Sequence, residues 1–181
     1  MKYLVTGGAG FIGNHLCRRL LENEENTLVI IDNLSTGDAS NIKDIIDSER
    51  VEFREGNVLD SDLVDILCKD CDVVYHLAAA VGVKYIVDNP LLCLDTNIIG
   101  TSNILKSVAR HKKRLILFST SEVYGKNTNK VFSEEDDRIL GSTTIPRWGY
   151  AASKALDEFY ALAYHREKGL HVSIVRLFNT V

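Results

Sequence analysis

The stretch that decides the fold is Thr6-Gly7-Gly8-Ala9-Gly10-Phe11-Ile12-Gly13. It follows the apolar run Tyr3-Leu4-Val5 and opens an amphipathic segment from Gly10 to Leu21 carrying Phe11, Ile12, Leu16 and Leu20. Gly7, Gly10 and Gly13 stand at GxxGxxG spacing between a predicted strand and a predicted helix. Such a turn lets backbone approach a pyrophosphate, while the free N–H groups and positive dipole end of the helix face the phosphates. A glycine pattern alone is weak; a strand before it and a helix after it give it content.

Outward from that turn the same rhythm repeats. Thr27–Ile31, Val51–Phe53, Asp72–Leu77, Leu115–Phe118 and Val172–Val175 read as further strands, most of them too continuously apolar to face water on one side. Between them lie helical stretches at Ser61–Cys68, with Ser61 as N-cap, at Leu94–Arg110 and at Tyr150–Glu167. Lys112, Lys113 and Arg114 read as cations closing the helix at Leu94–Arg110. Continuous apolar strands alternating with helices predict an α/β fold, a doubly wound parallel sheet. Two stretches break the rhythm: 33–48, a loop before a short helix, and the long polar loop 125–149 with its acidic run Glu134-Glu135-Asp136-Asp137.

Composition narrows the classes. The 181 residues are 45% hydrophobic and carry a formal charge of −4, which fits one sizeable core and speaks against nucleic acid or an anionic membrane held by bulk charge. No apolar run approaches the ~18 residues that span a bilayer. The first residues lack a signal peptide's apolar stretch, so the expected location is the cytoplasm. Cys17, Cys68, Cys71 and Cys93 read as buried thiols; the lone Cys68-Lys-Asp-Cys71 has no second pair to complete a metal site, and no metal is expected.

Asp32 ends the second strand, 19 positions beyond Gly13. A carboxylate there accepts ribose hydroxyls and repels a 2′-phosphate, which favours NAD over NADP; the plainer reading is a strand-end turn residue. Tyr150-Ala-Ala-Ser-Lys154 places a phenol and an ammonium four apart on one helix face. A phenol of pKa near ~10 is a poor base at neutral pH, and a nearby cation favours its ionised form. An isolated YxxxK is a surface Tyr and a solvated Lys. Here it accompanies the glycine turn and Ser119-Thr120-Ser121-Glu122-Val123-Tyr124-Gly125, whose hydroxyls, at the carboxyl end of strand five, are expected to point into the site. The three elements together specify an NAD-dependent alcohol oxidation.

These residues, with His76-Leu77-Ala78-Ala79 and Arg176-Leu177-Phe178-Asn179, resemble the extended short-chain dehydrogenase/reductase family, in its nucleotide-sugar epimerase, dehydratase and decarboxylase branch. The resemblance implies a pyrophosphate site at Gly7, Gly10, Phe11, Ile12 and Gly13, and an adenosine ribose site at Asp32, Asn33 and Thr36. It implies adenine contacts from Asn57 and Val58, a cofactor wall of Leu77, Ala78 and Ala79, and support from Asn97 on the nicotinamide side. Thr120, Tyr150 and Lys154 would form the catalytic set, with Tyr150 the base, Lys154 lowering its pKa and touching the nicotinamide ribose, and Thr120 orienting the substrate. Glu122 is a candidate base or a structural acceptor. Ser121 and Asn179 would meet the sugar nucleotide, as would Lys84, which otherwise is a loop charge.

The family's first step leaves a 4-keto sugar, and its branches diverge afterwards. Ser121-Glu122 replaces the Asp-Glu pair usual in the dehydratases, and Thr120 to Gly125 with Pro146-Arg147-Trp148 is similar to the UDP-glucuronate decarboxylases. Gly82-Val83-Lys84-Tyr85 is similar to uronate 4-epimerases. The expectation is a UDP-sugar 4-epimerase, with the decarboxylase as alternative and an NAD-binding module without turnover as a third. The resemblance also implies a homodimer through the helices at 94–110 and 150–167, and a family chain that continues into a sugar-nucleotide lobe. Residues 1–181 are therefore expected to be the NAD-binding Rossmann domain of a longer enzyme.

Overall fold

The computed structural model describes residues 1–80 and 82–180, apart from the side chains of 83–85. All six expected strands form, as β1 (Lys2–Thr6), β2 (Thr27–Asp32), β3 (Val51–Glu55), β4 (Val73–His76), β5 (Arg114–Thr120) and β6 (Val172–Leu177). They make one parallel sheet in the order β3-β2-β1-β4-β5-β6. The chain leaves β1 toward β2 on one side and resumes at β4 on the other. The order thus reverses beside β1, where a crevice opens beyond the carboxyl ends of the strands.

Strand alternation explains why both faces are covered. Leu4 and Val5 point to opposite sides of β1, and both are buried. Leu4 joins Val29, Ile31, Val74, Leu115 and Leu117 beneath α3 (Ser61–Lys69) and α6 (Thr101–Arg110), which supply Val64, Leu67, Ile104, Leu105 and Val108. Val5 joins Leu28 and Ile30 beneath α1 (Phe11–Leu21), which brings Cys17, Leu16 and Leu20. Each such aliphatic side chain contributes about 1.5–3 kcal/mol on burial.

Several element ends differ from expectation. The N-cap of α3 is Asp60, not Ser61: its Oδ1 accepts from the Asp62 and Leu63 N–H groups at 3.1 and 3.0 Å. The third expected helix begins earlier, as α5 (Pro90–Leu94), and runs through a wider π-helical turn, Asp95–Gly100, into α6. It ends at Arg110; Lys112 adopts a left-handed φ of 53° and Arg114 opens β5, so the basic triplet does not close the helix. The 33–48 region holds a 3₁₀ turn, Ala39–Ile42, and a short α2 (Lys43–Ile46), while α4 (Val83–Asp88) forms where no helix was expected. The last helix, α7, spans Arg147–Lys168 and stops at Gly169, whose φ of 67° is the left-handed end that glycine tolerates. Ile99, Phe159 and Tyr160, on the expected pairing helices, are exposed, as is Leu91 in α5. Among the described residues no helix is long and apolar enough to cross a membrane, and no cluster could hold a metal ion. All four cysteines are buried free thiols.

Candidate active site

A cleft of about 340 Å³ runs along the carboxyl ends of the strands. Its first wall is backbone. Gly7 has φ +73° and donates its N–H to Ile31 O at 2.8 Å. A Cβ at Gly13 would lie 2.2 Å from Gly7 O and 2.7 Å from Gly8 Cα, and one at Gly7 would lie 2.8 Å from Ala78 N. Only glycine lets this turn and α1 close on each other. Gly10 caps α1 with no side-chain bond, so the first-turn amides of Phe11, Ile12 and Gly13 face the cleft without a side-chain acceptor. That is the donor set a phosphate requires.

Asp32 stands behind this turn and is almost wholly buried. Its Oδ2 accepts from Ala9 N–H and its Oδ1 from Leu34 N–H, both at 2.9 Å. Two amides leave about half of a carboxylate's acceptor capacity for ribose hydroxyls. Gly37 packs against it, where a Cβ would lie 3.1 Å from Asp32 Oδ1. Asn33, Thr36, Asn57, Val58, Leu77, Ala78 and Ala79 all line the same cleft, as do Ser121 and Asn179. Ser35, Gly37, Gly56, Leu92, Thr96, Phe118 and Phe178 also line it and were not singled out from sequence. Ser35 and Gly37 flank the quoted Thr36, so the signal for them lay in the chain right after Asp32.

Asn97 does not line the cleft. The π-turn carries its side chain inward, where Oδ1 accepts from Ala80 N–H and Nδ2 donates to Ser153 Oγ, both at 3.0 Å. It therefore ties the end of β4 to α7 and touches the site only through others. Lys84 lies in α4, but its side chain is outside the described residues.

The other wall is built of side chains. Thr120, Glu122, Tyr150 and Lys154 meet there, with α7 presenting Tyr150 and Lys154 one turn apart. The Tyr150 hydroxyl hydrogen-bonds Thr120; burial nevertheless pushes the phenol up to about 12, and Cys93, Glu122 and Asp157 push the same way. The expected lowering by Lys154 is not present in this arrangement, because the Lys154 ammonium, almost wholly buried, pairs with Asp157 at 3.1 Å. Ser119 also departs from expectation. Its hydroxyl donates to Glu158 Oε1 at 2.5 Å, in a buried cluster completed by Arg176 at 2.7 and 2.9 Å. Glu122 is half-exposed and pairs with Arg147 at 3.5 Å.

A glycine turn for a diphosphate, a carboxylate behind it and a Thr–Tyr–Lys set across one cleft define a Rossmann-type dinucleotide-binding fold. The family model described as GDP-mannose 4,6 dehydratase matches residues 4–181, and the chain belongs to that family. It is 42% identical over 178 residues to a UDP-N-acetyl-alpha-D-glucosaminuronate decarboxylase of Bacillus cytotoxicus, covering 98% of this chain and 54% of that protein. Among solved structures it is similar to the dTDP-glucose 4,6-dehydratase DesIV of Streptomyces venezuelae with NAD bound (32% identity, TM-score 0.88, 97% of this chain and 55% of that one). It is also similar to a UDP-N-acetylglucosamine 4-epimerase of Methanobrevibacter ruminantium (32% identity, TM-score 0.86, 97% and 54%). The chain spans about half the length of the curated relatives it matches.

Proposed function

We propose that this chain is the dinucleotide-binding half of an enzyme that oxidises C4 of a UDP-sugar with NAD. The observation carrying this is the presence, in one cleft, of the uncapped glycine turn and the Thr120–Tyr150 pair. The Gly7–Gly13 turn would hold the pyrophosphate and Asp32 the adenosine ribose, and a Cβ at Gly13 would fill the space that brings turn and helix together. NAD, when bound, supplies a reversible acceptor for the hydride of the sugar C4. Tyr150 takes the proton from the C4 hydroxyl, and Thr120, already bonded to the phenol, orients that hydroxyl. Burial in the cleft excludes water and strengthens every charge felt by the phenol. Lys154, one turn along α7 from the phenol, is paired with Asp157 in this arrangement.

After oxidation we favour loss of CO2 from a UDP-uronate, the 4-keto group accepting the electron pair of the breaking C5–C6 bond. Supporting this are the 42%-identical decarboxylase relative and the Thr120-Ser121-Glu122 sequence beside Arg147. The 4-epimerase expected from sequence is the second reading, supported by the epimerase neighbour and the shared first step. A homodimer through the exposed apolar residues of α5–α6 and α7 belongs to the same proposal. The test is incubation of the full-length protein with NAD and UDP-glucuronate, UDP-N-acetylglucosaminuronate or UDP-glucose, with products resolved by NMR. CO2 and a UDP-pentose are expected. C4 inversion would transfer the assignment to the epimerase, and no conversion of any sugar would defeat C4 oxidation altogether.

A further inference from the structure

The turn after β3 borders the cleft, yet its shape is fixed from outside it. Asp32 pairs with Glu55 at the end of β3, and Gly56 N–H donates to Asp32 O at 3.0 Å. The chain therefore runs on directly past the Asp32 carboxylate, on the side away from β1, and Gly56, Asn57 and Val58 line the cleft there. Within the turn, Asp60 N–H donates to Asn57 O and Leu59 N–H to Asn57 Oδ1, both at 3.0 Å. Two further carbonyls are satisfied from α6: Asn103 Nδ2 donates to Val58 O at 3.0 Å and to Leu59 O at 3.2 Å. A side-chain amide nitrogen carries two hydrogens, and both are spent on this one turn. Three residues earlier, on the same helix face, Gly100 meets the Val58 side chain. A Cβ at Gly100 would lie 2.6 Å from Val58 Cγ2 and 3.5 Å from Val58 Cβ.

We propose that Asn103 is a positioning residue for the adenine end of the cofactor, with Gly100 the spacer that sets how far Val58 stands into the cleft. The proposal rests on the dinucleotide reading of the site. Strand order places the base: the phosphate turn follows β1, the ribose carboxylate ends β2, and β3 is the next strand outward. A nucleoside held by Asp32 with its phosphates at the glycine turn thus directs its base toward residues 56–58. Val58, buried and yet lining the cleft, offers that flat ring an apolar contact. A short turn outside any strand has several ways to orient its carbonyls, and each needs a partner. Tying two of them to one amide selects one arrangement. Asn103 itself does not line the cleft. Its helix is seated on the sheet through Ile104, Leu105 and Val108, so the anchor is part of the core.

The test combines amide hydrogen exchange with calorimetry on the full-length protein and its Asn103→Ala variant. Exchange at Leu59 and Asp60, whose N–H groups are bonded inside the turn, should quicken about tenfold, while residues 11–13 keep the parent's rates. Unchanged exchange at 59 and 60 overturns the clamp. Affinities for NAD and for AMP, which carries the adenine but no nicotinamide, should fall together by about five- to tenfold. A residue serving fold stability alone would lower the melting temperature and leave both affinities at the parent's values. That outcome overturns the proposal, as does a loss for NAD that AMP does not share. Gly100→Ala favours the helix itself and keeps the amide, so it reads the same turn even where Asn103→Ala folds poorly. Its methyl should press Val58 toward the cleft and weaken NAD and AMP alike; parent affinities there would overturn the spacer. A parent protein that binds neither ligand would defeat the dinucleotide reading itself, and the exchange rates would still judge the clamp.

Discussion

The two walls of the cleft are made of different materials. The cradle at Gly7–Gly13 is backbone, packed so closely that a Cβ at Gly7 or Gly13 would come within 2.2–2.8 Å of neighbouring backbone atoms. The opposite wall is side chains on β5 and α7 whose protonation depends on burial and neighbours. The first is a steric device, present or absent. The second is graded, because moving one charge changes how strongly the phenol holds its proton. A fold that places both at the carboxyl ends of one sheet can keep the first fixed while the second is retuned.

Substitutions can separate the two. Gly13→Ala should abolish NAD binding by calorimetry while the far-ultraviolet circular dichroism spectrum stays near the parent's; binding at the parent's affinity would remove the steric account. Tyr150→Phe should leave NAD affinity within about threefold and reduce sugar oxidation by ~10²–10⁴, the range for loss of a general base. Equal losses of binding and turnover would mean that the walls are not independent. The third effect is smaller and is read in urea unfolding against pH. The folded pKa of His76, about 3, lies below the ordinary value near 6.5, so the native state binds fewer protons between those limits. Its stabilising contribution is complete above about pH 6.5 and is lost as pH falls toward 3, at up to about 1.4 kcal/mol per pH unit. The raised carboxyl of Asp157 has the opposite sign, its contribution being lost as pH rises from about 4 through 6. His76→Gln should flatten the first slope; an unchanged slope would assign acid sensitivity elsewhere.

The steric wall was the more legible in sequence. Glycine spacing between a strand and a helix leaves few backbone arrangements, and most of the six apolar runs are too continuously apolar to be anything but strands of a sheet covered on both faces. The graded wall was read less well because its state depends on burial. Lys154 and Asp157 stand three apart on α7, a spacing that sequence displays, yet only burial makes the pair dominate over Tyr150. Ser119 is a case where more could have been read. Neighbours on a strand point their side chains to opposite sides, so the Ser119 and Thr120 hydroxyls could not share one partner; both residues line the cleft, and the Ser119 hydroxyl went to Glu158. The Asp60 cap lay one residue before the chosen Ser61, a choice that local composition leaves open. The inward turn of Asn97 depends on a π-turn that no periodicity in that stretch announced.

That π-turn has a geometric consequence of its own. A residue inserted into a regular helix shifts the phase of everything before it by about 100° relative to everything after it. In one continuous rod, Leu92 and Thr96 can then look out on the cleft while Ile104, Leu105 and Val108 stay seated on the sheet. Deleting a single residue between 95 and 100 would leave the seated half undisturbed and swing the other half off the ligand, so the length of this segment is itself a specification.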